Sequence, residues 1–117
     1  MMSASTLTKR KLFGLFELDH AGTVLYSRIE PEAKADAAPP DVAGRNFYEE
    51  VAPFENVEEF RRRVSAFANG VSPADNFNFN CLYGDGAQPV RVLLARVRER
   101  TSNDRTKSVL VHIRKGA

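Results

Sequence analysis

The hydrophobic period of this chain changes from helical to strand-like after residue 67, and the change limits what the second half can form. Four apolar residues recur every three or four positions, on one face of a predicted helix: Val57, Phe60, Val64 and Phe67. In residues 76–83, which read N-F-N-F-N-C-L-Y, the period becomes two, as in a strand with one buried face. Residues 89–99 and 108–114 are also strand-forming, and a polar loop over residues 100–107 joins them.

The first half predicts a hairpin and two capped helices. Residues 13–18 and 23–27 are strand-forming runs on either side of the turn sequence D-H-A-G. A short helical turn is expected over residues 32–37. Asn46 and Asn56 each precede a glutamate by three positions, Glu49 and Glu59, a spacing typical of a capping box. Pro53 ends the first of these helices, and Asn69-Gly70 ends the second.

This order of elements predicts an α+β domain. We expect a five-stranded antiparallel sheet with short helices and one longer helix packed on one face. The N-terminal hairpin would pair with the last strand at the centre of the sheet. With 117 residues, the chain suits a flexible N-terminal segment over residues 1–11 and a single domain over residues 12–117.

Composition narrows the functional classes. A single cysteine, Cys81, excludes an intramolecular disulfide framework. The apolar runs fall short of a signal sequence or a membrane span, which predicts a cytoplasmic protein without membrane insertion. Residues 59–117 carry 11 basic and 5 acidic groups, but these are spread over several elements and no nucleic-acid motif accompanies them. The pattern therefore argues against a nucleic-acid partner.

One segment resembles a known family. Residues 44–54 read G-R-N-F-Y-E-E-V-A-P-F and are similar to G-K-N-F-F-x-x-V-A-P-C of the photoactive yellow protein family of PAS domains. Upstream, Phe13-Gly14, Leu18-Asp19 and Gly22 resemble the same family's F-G…L-D-x-x-G without a gap. The resemblance implies the PAS fold and a bacterial-type sensor or signalling domain.

The departures from that family bear on function. The family carries a 4-hydroxycinnamoyl pigment on the cysteine after V-A-P, where this chain has Phe54. The tyrosine and glutamate that hold the pigment's phenolate correspond to Ser27 and Pro31, and the gating arginine to Ala37. Tyr83 alone is retained among the pocket positions considered. The resemblance therefore implies a PAS domain without this pigment and with no cofactor.

The pocket of the related family suggests six lining positions. They are Phe47, Val51, Phe54, Phe79, Cys81 and Tyr83. Either Phe54 fills the space and closes the core, which we favour, or a smaller apolar ligand enters beside Phe54 and Cys81. Cys81 is expected to be a small buried hydrophobe and not a replacement thiol, because no cation or base can be named beside it.

The sequence gives little support for a haem site, a metal site or an enzymatic site. His20 falls in a predicted turn, and His112 alternates with Val111 and Ile113 on a strand, where a haem ligand is not expected. We find no zinc-ligand spacing, phosphate loop or nucleophile motif. The sequence therefore predicts neither a metal site nor an enzyme.

The sheet face away from the helices is the expected interface. Its apolar candidates are Leu82, Leu93, Val97 and Leu110. Its charged rim would be Arg91, His112 and Arg114. An apolar strip on a solvated sheet face is typical of a contact surface. We therefore expect a non-photoactive signalling module that acts through protein–protein interaction. It would work as a homodimer, or as an adaptor or regulator of a separate kinase, response regulator or localisation factor. The alternative is a sensor that binds a small apolar ligand non-covalently.

Overall fold

A single antiparallel sheet organises the protein in the computed structural model, which describes residues 11–30, 41–98 and 106–116. The strands are β1 (Gly14–Leu18), β2 (Val24–Ile29), β3 (Ala74–Tyr83), β4 (Gly86–Arg98) and β5 (Thr106–Lys115). A π-helical turn, Phe47–Val51, and the helix α1, Val57–Ala68, separate β2 from β3. The strand order is β2-β1-β5-β4-β3, so the predicted α+β fold is confirmed, including the pairing of the N-terminal hairpin with the last strand.

The turn of the β1–β2 hairpin depends on the Asp19 side chain and on the backbone conformation of Gly22. The Asp19 carboxylate accepts hydrogen bonds from the backbone N–H groups of Ala21, at 3.0 Å, and Thr23, at 2.8 Å. Gly22 has φ +88°, and a Cβ there would lie 2.8 Å from the Tyr48 ring. A side chain at this turn is therefore both strained and obstructed. The second strand continues to Ile29, two residues beyond the predicted end.

The C-terminal meander is longer than the sequence pattern indicates. β4 begins at Gly86 rather than at residue 89, because Pro89 lies opposite Asn80 without interrupting the β3–β4 pairing. β5 begins at Thr106, so the last two residues of the predicted loop belong to a strand. The remainder of that loop, residues 100–105, lies outside the described residues.

The two predicted capping boxes differ from the observed contacts. The Asn46 side chain accepts from the N–H groups of Tyr48 and Glu49, as expected, but the carboxylate that returns to the Asn46 N–H is that of Glu50, at 3.2 Å. The wider π-helical turn brings the residue four positions on, rather than three, back over the cap. Asn56 makes no side-chain cap bond to α1, because its amide binds the backbone of β3 instead.

The helix α1 packs its predicted face on the sheet and is held at its C-terminal end by Arg96. Phe60, Val64 and Phe67 are buried. The Arg96 guanidinium donates to the carbonyls of Phe67, at 2.6 Å, and Ala68, at 3.0 Å. A cation at this end satisfies carbonyls that have no partner within the helix and complements the helix dipole.

Several predictions concern residues that the structure does not describe. The flexible segment over residues 1–11 is described at Lys11 alone, whose ammonium lies 3.5 Å from Asp85 Oδ2. The helical turn over residues 32–37 and the pigment positions Pro31 and Ala37 lie outside the described residues. Within the described ranges, no helix has both the length and the apolar character needed to cross a membrane.

Candidate functional site: the aromatic interior and the outer sheet face

The interior between sheet and helices is filled by aromatic rings. Phe47 and Phe60 are fully buried, and their ring centroids lie 5.9 Å apart. Phe54 is 3% exposed and contacts Phe60, Phe79 and Tyr83 with centroid distances of 5.5, 6.3 and 6.2 Å. Those three contacts are edge-to-face, which is a favourable arrangement of aromatic pairs. Phe54 thus joins α1 and β3 through one side chain.

The other predicted pocket residues surround this ring cluster. Phe79, Cys81 and Tyr83 follow one another on the inner face of β3, and all three are buried. Val51, at the end of the π-helical turn, is half-buried and packs against the core from its margin. The structure therefore brings all six predicted pocket residues to one side of the sheet.

The polar groups of this interior are held in their neutral forms. Cys81 has no exposed surface, and burial raises the pKa of its thiol to about 12. Burial likewise raises the pKa of Tyr83 to about 12, and its hydroxyl accepts a hydrogen bond from the Leu12 N–H at 3.0 Å. A protonated thiol is a poor nucleophile, so the geometry gives Cys81 a packing role. Ser27, the position matched to the phenolate-binding tyrosine, instead contacts Asp41 Oδ1 and the Val42 N–H, each at 3.3 Å.

The outer face of the sheet is arranged in rows that run across the strands. One row sets His112 between Leu15 and Leu93. The next row sets Leu110 between Glu17 and Ala95. These leucines and His112 are half-buried on the side of the sheet opposite α1. The rows form an apolar strip that crosses three neighbouring strands, and we call it the outer strip.

The ends of the outer strip are polar. At one end Arg91 lies directly opposite Arg114, and both are exposed. At the other end Val97 lies opposite Ser108, whose hydroxyl donates to Glu17 Oε2 at 2.6 Å. Two like charges directly opposite each other destabilise a strand pair, so the arginine end would gain from an anionic neighbour.

Not every predicted interface residue lies in the outer strip. Leu82 pairs with Ala87, whereas Leu93 pairs with Asn76, six positions along β3. That separation is roughly 20 Å along a strand. Leu82 therefore lies apart from the outer strip, near the turn of the β3–β4 hairpin, where it is 41% exposed. Conversely, sequence reasoning missed Leu15 and Glu17. The alternation of β1 marks them as facing opposite to Phe16, but their neighbours depend on which strand lies beside β1.

Comparisons with known proteins identify homologues of this chain. No family model matches the chain. It is 38% identical over 82 residues to photoactive yellow protein of Rhodothalassium salexigens, covering 68% of this chain and 62% of that relative. It is 39% identical over 59 residues to photoactive yellow protein of Halochromatium salexigens, covering 50% and 47%. The chain is a PAS-fold homologue of photoactive yellow protein. It spans about three fifths of one of these relatives and about half of the other.

Solved structures agree on the fold of this PAS-fold homologue. A Vibrio cholera VqmA–ligand–DNA complex matches 98% of this chain and 50% of that chain, with a TM-score of 0.62 and 11% identity. A C-terminal domain from Streptococcus mutans matches 96% of this chain and 81% of that chain, with a TM-score of 0.56 and 18% identity. At such identities the likeness concerns the fold alone.

The resemblance to photoactive yellow protein predicts that Phe54 occupies the position of the family's pigment cysteine. The ring at this position contacts three other aromatic side chains. A phenyl ring offers no atom for a thioester, and this one lies in the interior beside Phe79 and Tyr83. The arrangement packs a core, and the phenyl ring at position 54 supplies no thiol for attachment.

Proposed function

We propose that this PAS-fold homologue is a signalling module that works by protein contact through the outer strip, without a pigment. The observation that carries the proposal is the row in which Leu15 and Leu93 flank His112 on the face away from α1. Partly exposed apolar side chains that adjoin across strands favour burial against another protein. The partner is either a second copy of the chain or a separate signalling protein, such as a kinase, response regulator or localisation factor.

The filled interior supports the same proposal from the other side of the sheet. Phe54 is in contact with the side chains that would otherwise line a ligand space, and the Cys81 thiol is protonated. With the interior used for packing, the side chains available to a partner are those on the surface. The sequence predicts His112 in the charged rim, but it lies inside the strip, so the rim is the pair Arg91 and Arg114. This pair would then select the partner's charge and set its orientation.

The experiment replaces Leu93 with glutamate and compares it with Val71→Glu, which changes an 87%-exposed residue outside the strip. Oligomeric mass by light scattering and affinity purification of the tagged full chain would be measured for both. We expect Leu93→Glu to lose the self-association or the specific partner that wild type shows, with the melting temperature nearly unchanged. Equal association in both variants would contradict the proposal.

Native mass spectrometry tests the interior independently. Under non-denaturing conditions the measured mass should equal the sequence mass of one chain, or of two chains if the protein is a homodimer, with no added mass. A reproducible added mass that dissociates on denaturation would show that a small ligand occupies the core, and the module would then be a ligand sensor.

A further inference from the structure

The exposed edge of β3 forms a second candidate site, which shares Arg91 with the polar end of the outer strip. Among the described residues, β3 has a strand neighbour on one side only. A groove of about 570 Å³ runs along β3 near α1. Asn56, Glu59 and Arg63 contribute to it from the helix side, and Asn78, Asn80 and Arg91 from the sheet.

Asn56 shows how this edge binds a peptide group. Its amide nitrogen donates to the Asn80 carbonyl at 2.9 Å, and its amide oxygen accepts from the Leu82 N–H at 3.0 Å. The Glu55 N–H donates to the Leu82 carbonyl at 2.7 Å. The side-chain amide therefore pairs with the edge as the backbone of an added strand would.

Asn78 also turns its backbone groups to the open side of β3, where they are available for pairing. Backbone groups of a strand alternate in direction, so Asn78 turns its N–H and carbonyl to the same side as Asn80 and Leu82. The Asn76 N–H on this side already donates to the Asp75 carboxylate, at 2.9 Å. The window for a new partner is therefore short and centred on Asn78, between the contacts of Asp75 and Asn56.

Arginines lie on both faces of β3 beside that window. Arg91 is the cross-strand neighbour of Asn78 and faces the outer side. The Arg63 guanidinium lies 3.9 Å from the centroid of the Phe77 ring, on the helix side. Within the described ranges, no carboxylate is placed within 4.0 Å of either guanidinium. Among the described residues of the groove lining, Glu59 is the one carboxylate and Arg63 and Arg91 are the cations, so this described part is net positive.

We propose that β3 accepts an extended acidic peptide of a partner protein as an added strand opposite Asn78. Successive side chains of a strand point to opposite faces, so two consecutive acidic residues would reach Arg91 and Arg63 respectively. The backbone of the peptide would exchange two hydrogen bonds with Asn78, which is the pattern of strand addition. Charge selects the peptide, and main-chain pairing sets its extended conformation.

The test uses a fluorescein-labelled synthetic peptide, Thr-Val-Thr-Glu-Glu-Thr-Val, and the full chain. Anisotropy should show saturable binding, and the Asn78 amide should become protected from hydrogen exchange. Lysines in place of the two glutamates should weaken binding about fivefold or more. N-methylation of the two central peptide nitrogens should weaken it about tenfold, because it removes main-chain donors.

Matched variants separate site binding from general charge. Arg63→Glu and Arg91→Glu should each weaken binding about fivefold, whereas Arg62→Glu, an equal charge change at an exposed position outside the groove lining, should not. Arg91→Gln serves in its place if the reversed charge lowers the melting temperature. Val71→Glu, at an exposed position outside both the outer strip and the groove lining, should leave peptide affinity unchanged.

Three results would overturn the proposal. One is no saturable binding of the acidic peptide up to millimolar concentration. Another is equal binding of the N-methylated peptide, which would mean that main-chain pairing plays no part. The third is an equal loss in Arg62→Glu, which would mean that the peptide responds to net charge and not to the groove.

Discussion

Replacing Phe54 with alanine tests whether this ring closes the core. The side chain is 3% exposed and contacts three rings at 5.5 to 6.3 Å. Truncation of a buried phenylalanine costs about 3–5 kcal/mol, because transfer and cavity terms add. Domains of this size have unfolding free energies of about 5–15 kcal/mol, so the variant should remain folded at low temperature. The melting temperature should fall by roughly 15–25 °C.

The assay is chemical and thermal unfolding followed by circular dichroism, with Val71→Ala as the control. Val71 is 87% exposed, so its truncation should change the unfolding free energy by less than about 0.5 kcal/mol. Benzene should raise the melting temperature of Phe54→Ala, because an apolar cavity binds such a ligand and binding stabilises the folded state. It should leave wild type unchanged.

Two results would refute this reasoning. A loss below about 1 kcal/mol would mean that Phe54 does not pack the interior as the ring contacts indicate. An equal rise in melting temperature with benzene in wild type would mean that the native interior already accepts a ligand. Phe54→Leu, which keeps part of the volume, should lose less stability than Phe54→Ala, and the reverse order would also contradict the packing argument.

The remaining predictions concern the buried thiol and tyrosines, the helix end and the pigment. Burial raises the pKa of Cys81 from 9.0, and of Tyr48 and Tyr83 from 10.0, to about 12. The unfolded chain therefore ionises first, and melting temperatures should fall as the pH rises from about 9 towards 12; a rise over that range would contradict the burial assignment. Arg96→Ala should lower the unfolding free energy measured in urea by about 2 kcal/mol, because it leaves the carbonyls at the end of α1 without their partner. Arg62→Ala, at an exposed position, should lower it far less. Equal losses in the two variants would contradict the capping role of Arg96. Wild type mixed with activated 4-hydroxycinnamic acid should gain no visible absorption band. A band would show that the pigment attaches although position 54 carries no cysteine.

The hydrophobic period accounts for the success of the fold prediction. The spacing of Val57, Phe60, Val64 and Phe67 predicts the buried face of α1, and three of the four are fully inside. The alternation of residues 76–83 likewise predicts the inward positions of β3. Both patterns are local, because burial on one face repeats with the geometry of the element itself.

Side chains that bind distant backbone could not be assigned from such patterns. Asn56 has the spacing of a helix cap, yet its amide pairs with residues 24 and 26 positions further along the chain. Arg96 reads as one of several strand arginines, yet it caps α1. The capping signal describes what a side chain can do locally, and tertiary contact offers it a competing partner.

The sequence by itself determined the types of the elements, their order and the residues that face inward, since these follow from local periods and turn residues. It also determined that position 54 carries a phenyl ring and no thiol. Only the tertiary structure decided which strands adjoin, and therefore that Leu15, His112 and Leu93 form one row and that Leu82 lies apart. Register and strand order arise from pairing between residues up to about a hundred positions apart, and the period of any single strand contains no information about its neighbour.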